Sequence, residues 1–276
     1  MLIQGNYRMH PNKNHPENWM RVEWIEKEFP DAQIVNIHLK KAEELACTLH
    51  PRGYVNAIKK LSDQGAGFGD NPFFSSTYEA ALGAVYASVK AMERLDFAAV
   101  RPPGHHASEE KFAGFCYFNN IAIAVKNSNK RTAIIDIDAH YGDGTHKIFM
   151  HSENIFYASI QGNTDFCYPF YELKSRNSKL INIPPTTGDE EYIEYLKELL
   201  ESVLAFKPEL IGVSAGFDTY FKDPVLGFSI KKIETYREIG KMIKEFGLPA
   251  FAVLEGGYSQ ELGKLVRAFY EGLFVK

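Results

Sequence analysis

Cysteine is scarce in this chain, with three in 276 residues. Cys47, Cys116 and Cys167 are odd in number and show no CxxC spacing. That excludes a disulfide framework and a cysteine-rich zinc site, and it fits a reducing, cytoplasmic location. No run approaches the ~18 consecutive apolar residues of a membrane span, and the first residues, MLIQGNYRMHPNKNHPE, lack the apolar core of a signal peptide. Nor does one sign of charge dominate. Lys and Arg number 31 against 35 Asp and Glu, a net of −4. A generally basic surface for nucleic acid is therefore excluded, and the slight acidity suits a cationic substrate. Gly 21 and Pro 13 are ordinary counts, so collagen-like and low-complexity classes drop out.

What the chain does have is alternation. Short apolar runs at Leu2–Gln4, Ile34–His38, Phe97–Val100, Thr132–Asp138, Ile155–Ile160, Leu180–Ile183, Leu210–Ser214 and Ala250–Leu254 read as strands. Many are continuously apolar rather than alternating, as expected of strands covered on both faces of a parallel sheet. Amphipathic stretches between them read as helices, among them Asn18–Glu28, Ser76–Leu95, Phe118–Val125, Asp189–Phe206, Ser229–Phe246 and Gly263–Glu271. Thr77 is placed to cap the second of these. Gly65–Phe74 and Ala139–Thr145 read as loops. The pattern predicts one α/β domain over residues 1–276, without repeats or linkers.

Ligands of open α/β sheets sit beyond the carboxyl ends of the strands, so the polar residues after each run are the informative ones. After Val100 comes Arg-Pro-Pro-Gly-His-His, a rigid turn presenting His105 and His106 side by side. A lone histidine is ordinarily packed; a tandem pair at the end of a strand points to acid–base chemistry. The next run ends in Asp136-Ile-Asp138-Ala-His140. Residues two apart share a strand face, so these three project together. Carboxylates in an apolar strand are costly to bury unless they meet a cation or donors, and an Asp-x-His pair about 6–7 Å apart along the strand suits a divalent cation. Asp143 follows between two glycines. Asp218 ends a third strand, within Ala-Gly-Phe-Asp. Asp138, His140 and Asp218 would leave an open position on a metal, as catalytic zinc sites do. Glu-Gly-Gly-Tyr, residues 255–258, ends the last strand and offers Tyr258 as an oxyanion donor. Together they imply metal-assisted hydrolysis.

The segments RPPGHHA (101–107), GFCYFNN (114–120), IDIDAHYGDGT (135–145), SAGFD (214–218) and EGGY (255–258) resemble, in order and spacing, the zinc-dependent histone deacetylase superfamily. The resemblance is strongest to its class II-like bacterial members and the acetylpolyamine amidohydrolases. It runs from about Asn14, where NHPENWMR is similar to a family HPE-x-P-x-R element with Trp19 in place of proline. The resemblance implies an arginase/deacetylase fold with an eight-stranded, mainly parallel sheet flanked by helices. It implies zinc on Asp138, His140 and Asp218, although an Asp₂His donor set accepts iron(II) as well. It also implies His106 as the base, His105 as its electrostatic or acid partner, Asp143 behind His106, Asp136 behind His105, and Tyr258 on the scissile carbonyl. The Gly114 carbonyl would take the substrate N–H, with Phe115 and Tyr168 as tunnel walls. Asp136 and Ser159 fall where the family holds a structural potassium ion.

The implied activity is removal of acetyl, or another short acyl group, from a primary amine such as acetyl-lysine or an acetylpolyamine. A non-catalytic module binding acylated amines and a deacetylase of another small metabolite are the alternatives. The intact set of site residues weighs against the former. The manganese ureohydrolases also carry Asp-Ala-His, but Gly142 and Gly216 stand where their second metal needs acids. Little chain precedes Asn14 to hold the insertion that drives dimerisation and narrows the tunnel in some acetylpolyamine amidohydrolases, which weakens both the homodimer and the polyamine expectation. Glu109 and Glu110 are expected at the tunnel mouth, where they would hold a distal ammonium.

Overall fold

The computed structural model describes residues 1–275. In chain order its elements are β1 (Leu2–Gln4), α1 (Met20–Glu28), β2 (Gln33–Val35), α2 (Leu39–Ala46), α3 (Arg52–Gln64), β3 (Gly67–Phe68), β4 (Asn71–Pro72), α4 (Thr77–Arg94) and β5 (Phe97–Ala99). There follow α5 (Asn120–Ser128), β6 (Thr132–Asp136), α6 (Asp143–Phe149), β7 (Ile155–Gly162), β8 (Ser178–Ile183), α7 (Asp189–Phe206), β9 (Leu210–Ala215), α8 (Ile233–Lys244), β10 (Ala250–Leu254) and α9 (Leu262–Phe274). Eight strands form one sheet in the order β2-β1-β5-β10-β9-β6-β7-β8, and every pairing in it is parallel.

Every residue of β5, β6, β7 and β9 is buried. Successive side chains point to opposite faces, so the central sheet is covered on both. Helix α4, rich in alanine, lies against β1, β5 and β10, while α7 covers β7 and β8. Helices α8 and α9 pack on each other, and α1 packs on α9. No helix among the described residues is long and apolar enough to cross a membrane.

All eight expected strands occur, with three shortened, Phe97–Val100 by its last residue only. The expected Ile34–His38 strand is the exposed edge strand β2, which ends at Val35. The Thr132–Asp138 run leaves the sheet after Asp136, and Ile137 and Asp138 turn toward β9. Helices α2, α3 and α6 are additional, and α6 begins at Asp143, inside the Ala139–Thr145 stretch read as a loop. Gly65–Phe74, read as a loop, contains the β3–β4 hairpin. Thr77 is the first helical residue rather than the cap, and its hydroxyl accepts from the Phe74 N–H at 2.8 Å.

A buried ion cluster ties the first 21 residues to the sheet. Arg101, fully buried, forks onto Glu17, with Nε to Oε1 at 2.8 Å and Nη2 to Oε2 at 2.9 Å. It also donates to the His10 carbonyl at 2.9 Å. Arg21 reaches Glu17 at 3.3 Å and donates to the carbonyls of Gly257, at 2.7 Å, and Glu255. The HPE-like element is thus a charge clamp between the RPPGHH turn and the EGGY loop. Burial works to raise the Glu17 pKa from its ordinary 4.5, but the two guanidiniums overcome it and hold the group at about 2. A group depressed in the folded state stabilises fully above its unfolded value and loses that contribution as pH falls toward its folded one. Glu17→Gln should therefore cost about 3–5 kcal/mol at pH 7, because it leaves buried positive charge uncompensated. The gap in denaturant midpoint between wild type and variant should narrow as pH drops from 4.5 toward 2. A gap that stays constant with pH would mean that Glu17 acts only through packing.

Candidate active site

The sheet order does what the linear sequence conceals. Strands β5, β10, β9 and β6 are adjacent, and they carry RPPGHH, EGGY, SAGFD and IDIDAH at their carboxyl ends. Four segments far apart in sequence thereby surround one cavity of about 260 Å³, whose walls include His105, His106, Asp138, His140 and Tyr258.

At its floor, Asp138, His140 and Asp218 present donor atoms that all lie within 4.8 Å of one another. His140 Nδ1 is 2.8 Å from Asp218 Oδ2 and 3.2 Å from Asp138 Oδ1. Both carboxylates are held by backbone. Asp138 Oδ2 accepts from the Gly256 N–H at 2.7 Å, and Asp218 Oδ1 from the Ala139 N–H at 2.8 Å. Gly256 has to be glycine, since a Cβ there would sit 2.6 Å from Asp138 Oδ2 and 2.7 Å from Asp218 Oδ2. Burial by itself would lower the His140 pKa, but hydrogen bonds and charge from Asp138 and Asp218 raise it to about 10. Burial and the Asp138 charge raise Asp218 to about 7. Two buried acids and one imidazole thus draw in a positive charge. They fit a divalent cation by donor number, donor type and convergence.

The tandem histidines lie beside this triad, their ring centroids 4.1 Å apart. Their surroundings drive them to opposite charge states. His105 Nδ1 bonds Asp136 Oδ2 at 3.1 Å, and its Nε2 is 3.8 Å from Asp138 Oδ1. Burial opposes a charge on His105, yet Asp138 and Asp136 raise its pKa well above the ordinary value. Burial, followed by the charge of His105, lowers His106 to about 4, although Asp143 opposes this. His106 Nδ1 lies 2.8 Å from Asp143 Oδ1. An ionised carboxylate only accepts, so Nδ1 carries the proton and Nε2 keeps its lone pair. Paired titratable groups pushed in opposite directions are the pattern of an acid–base pair.

Glu255 buttresses the histidine turn from β10, accepting from the N–H groups of Gly104 at 2.7 Å and His105 at 3.1 Å. Asp136 is shared with the Tyr157 hydroxyl at 2.8 Å. Tyr258 borders the cavity, with the Arg21 guanidinium 4.6 Å from its ring centroid and its backbone N–H on Asp223. Gly114 has φ +51°, and a Cβ on it would come within 2.4 Å of the His106 ring. Phe115 follows at φ +69°, a conformation costly for a non-glycine residue, with His15 edge-on at 4.5 Å. Tyr168 stands edge-on to His106 at 4.8 Å. The residues expected for the metal site, the histidine pair, the oxyanion donor and the tunnel walls therefore come together around this cavity, with Ser159 on the neighbouring strand. Ser159 lies beside Asp136 in the sheet register, and its buried hydroxyl has no hydrogen-bond partner among the described residues.

The rim differs from expectation. Glu109 and Glu110 do not line the cavity. The Glu109 carbonyl accepts from His50, and the residue borders a separate groove with Lys126 and Lys130. The acid at the mouth is Asp70, from the β3–β4 turn, together with Phe170 and Val225. Asp70 and Phe170 carry no local signal. Only the fold places them there.

A family model described as the histone deacetylase domain matches residues 15–273. A probable deacetylase of Methanothermobacter thermautotrophicus is 32% identical over 99% of this chain and 90% of its own length. An acetylpolyamine amidohydrolase of Mycoplana ramosa is 32% identical over 71% of this chain and 63% of its own. Among solved structures, an acetylpolyamine aminohydrolase from Burkholderia pseudomallei superposes with a TM-score of 0.89 at 21% identity, covering 99% of this chain and 98% of that one. With the family model spanning nearly the whole chain, and the fold and cavity in agreement, the protein belongs to the histone deacetylase family.

Proposed function

We propose that the chain is a metal-dependent amidohydrolase that removes acetyl, or another short acyl group, from a primary amine. The observation that carries this reading is a three-donor cation site adjoining a tandem imidazole pair, each ring backed by its own carboxylate, at a single cavity. Zinc is the metal proposed for Asp138, His140 and Asp218, with iron(II) able to occupy the same donors. When bound, the ion supplies Lewis acidity, polarising the acyl carbonyl and making water more acidic.

The protein residues do the rest. His106 Nε2 takes the proton of the attacking water, and Asp143 holds the ring in the tautomer that makes this possible. Tyr258 donates to the carbonyl oxygen as negative charge develops on it. His105 stays protonated and stabilises that charge from beside the base. As the C–N bond breaks, the departing amine nitrogen takes up a proton from the histidine pair. The Gly114 carbonyl receives the substrate N–H, and Phe115 and Tyr168 confine the chain that links the acyl group to the rest of the substrate. The unpartnered Ser159 hydroxyl, next to Asp136, supports a structural potassium ion there.

Acetylated amines form the substrate class, and Asp70 is the acid placed to meet a distal positive charge. Zinc-loaded protein should release acetate from a panel of acetyl-lysine peptides, acetyl-lysine and acetylated putrescine, cadaverine and spermidine. No release from any member, with zinc bound, would overturn the reading. His106→Ala should lower kcat by about 10²–10⁴-fold while metal content stays at the wild-type level; near-normal turnover would remove it as the base. Asp218→Asn should lower bound metal, measured by elemental analysis after dialysis. A fully metallated, fully active variant would take Asp218 out of the donor set.

A further inference from the structure

Asp143 has two carboxylate oxygens, and both are engaged. Oδ1 receives His106 Nδ1 at 2.8 Å, and Oδ2 receives the hydroxyl of Tyr171. A carboxylate held at one oxygen is free to rotate about its last torsion; one held at both has its plane fixed. Tyr171 belongs to the segment between β7 and β8 that also supplies Tyr168 and Phe170 to the cavity wall.

That segment is fastened on its far side as well. The Leu173 N–H donates to the Tyr141 hydroxyl at 3.2 Å. Tyr141 meets His146 Nδ1 at 2.5 Å, His146 Nε2 meets Ser175 Oγ at 2.8 Å, and Ser175 donates to Ser178 on β8 at 2.9 Å. Tyr141 and His146 are fully buried. Helix α6, which begins at Asp143, is thus laced to residues 171–178 along its length. Tyr171 is 44% exposed, yet its hydroxyl points inward to Asp143. Hydrophobic packing alone does not account for that placement.

We propose that Tyr171 is a positioning residue for the His106–Asp143 pair, acting through Asp143 from the same segment that walls the cavity mouth. The segment touches the base twice, through Tyr168 on its ring and Tyr171 on its carboxylate partner. A substrate that packs against Tyr168 and Phe170 therefore presses on the segment that orients the base.

The kinetic part of the proposal rests on the deacetylase reading above, so the test includes a measurement that needs no turnover. In zinc-loaded protein, Tyr171→Phe should lower kcat about tenfold, as loss of an outer hydrogen bond at a metal site does, with KM and zinc content unchanged. In an Asp143→Asn background the same substitution should cost nothing further. Independently, the NMR resonance of the His106 Nδ1 proton, assigned by its loss in His106→Ala, should shift in Tyr171→Phe. It should stay in place in Phe166→Ala, a change on the same segment at a residue 82% exposed. An unmoved resonance in Tyr171→Phe, or rate losses that multiply with Asp143→Asn, would overturn the proposal. A moved resonance in a protein that hydrolyses none of the panel would uphold the positioning role and defeat the deacetylase reading.

Discussion

Asp136, Asp138, Asp218 and Glu255 are buried together at the carboxyl edge of three neighbouring strands, and their mutual repulsion has to be answered. Isolated ionised carboxylates in such surroundings are prohibitively costly. Each is answered separately. Asp136 has His105 and Tyr157, Asp138 has His140 and the Gly256 N–H, Asp218 has His140 and the Ala139 N–H, and Glu255 has two N–H groups of the histidine turn. The nearest positive side chains in these hydrogen bonds are imidazoles, whose charge is conditional. The two arginines of the region are committed to Glu17 instead. This division of labour leaves the acids short of permanent positive charge, which is the physical ground for placing a cation among them.

The same imbalance separates the two histidines. They are neighbours in sequence and nearly in contact, so one protonated ring disfavours protonation of the other. His105 faces two acids and takes the charge; His106 faces one, and that acid is itself held from behind. The charge pattern, rather than any difference in residue type, separates the two rings.

Much of this was legible in the linear sequence, because the informative residues follow strands directly. Asp136, Asp138 and His140 share a face by the period of a strand, and Pro-Pro-Gly announces a rigid turn before His105. Features that depend on lateral arrangement were not legible. Chain order runs β5, β6, β9, β10, whereas the sheet runs β5, β10, β9, β6. Periodicity does not encode that permutation. Glu109 and Glu110 lie close to Gly114 in sequence, yet neither lines the cavity, and Glu109 borders another groove. Asp70 and Tyr171 reach the site from a hairpin and a connecting segment whose spacing says nothing of their destination.

Two aromatic residues of the cavity wall, Phe115 and Phe170, hold left-handed backbone conformations at φ +69° and +65°. The direction of a Cα–Cβ bond is set by the backbone, so such a turn fixes where each ring leaves the wall and leaves its further motion to the side-chain torsions. The two rings differ in how far those torsions are held: Phe115 packs against His15 and Tyr258, whereas Phe170 is 67% exposed. Bulk beside Phe115 therefore meets a packed ring, whereas variety beside Phe170 meets a side chain open to solvent. Selectivity in such an enzyme would be strict toward the acyl group and its nearest atoms and permissive toward whatever molecule bears them.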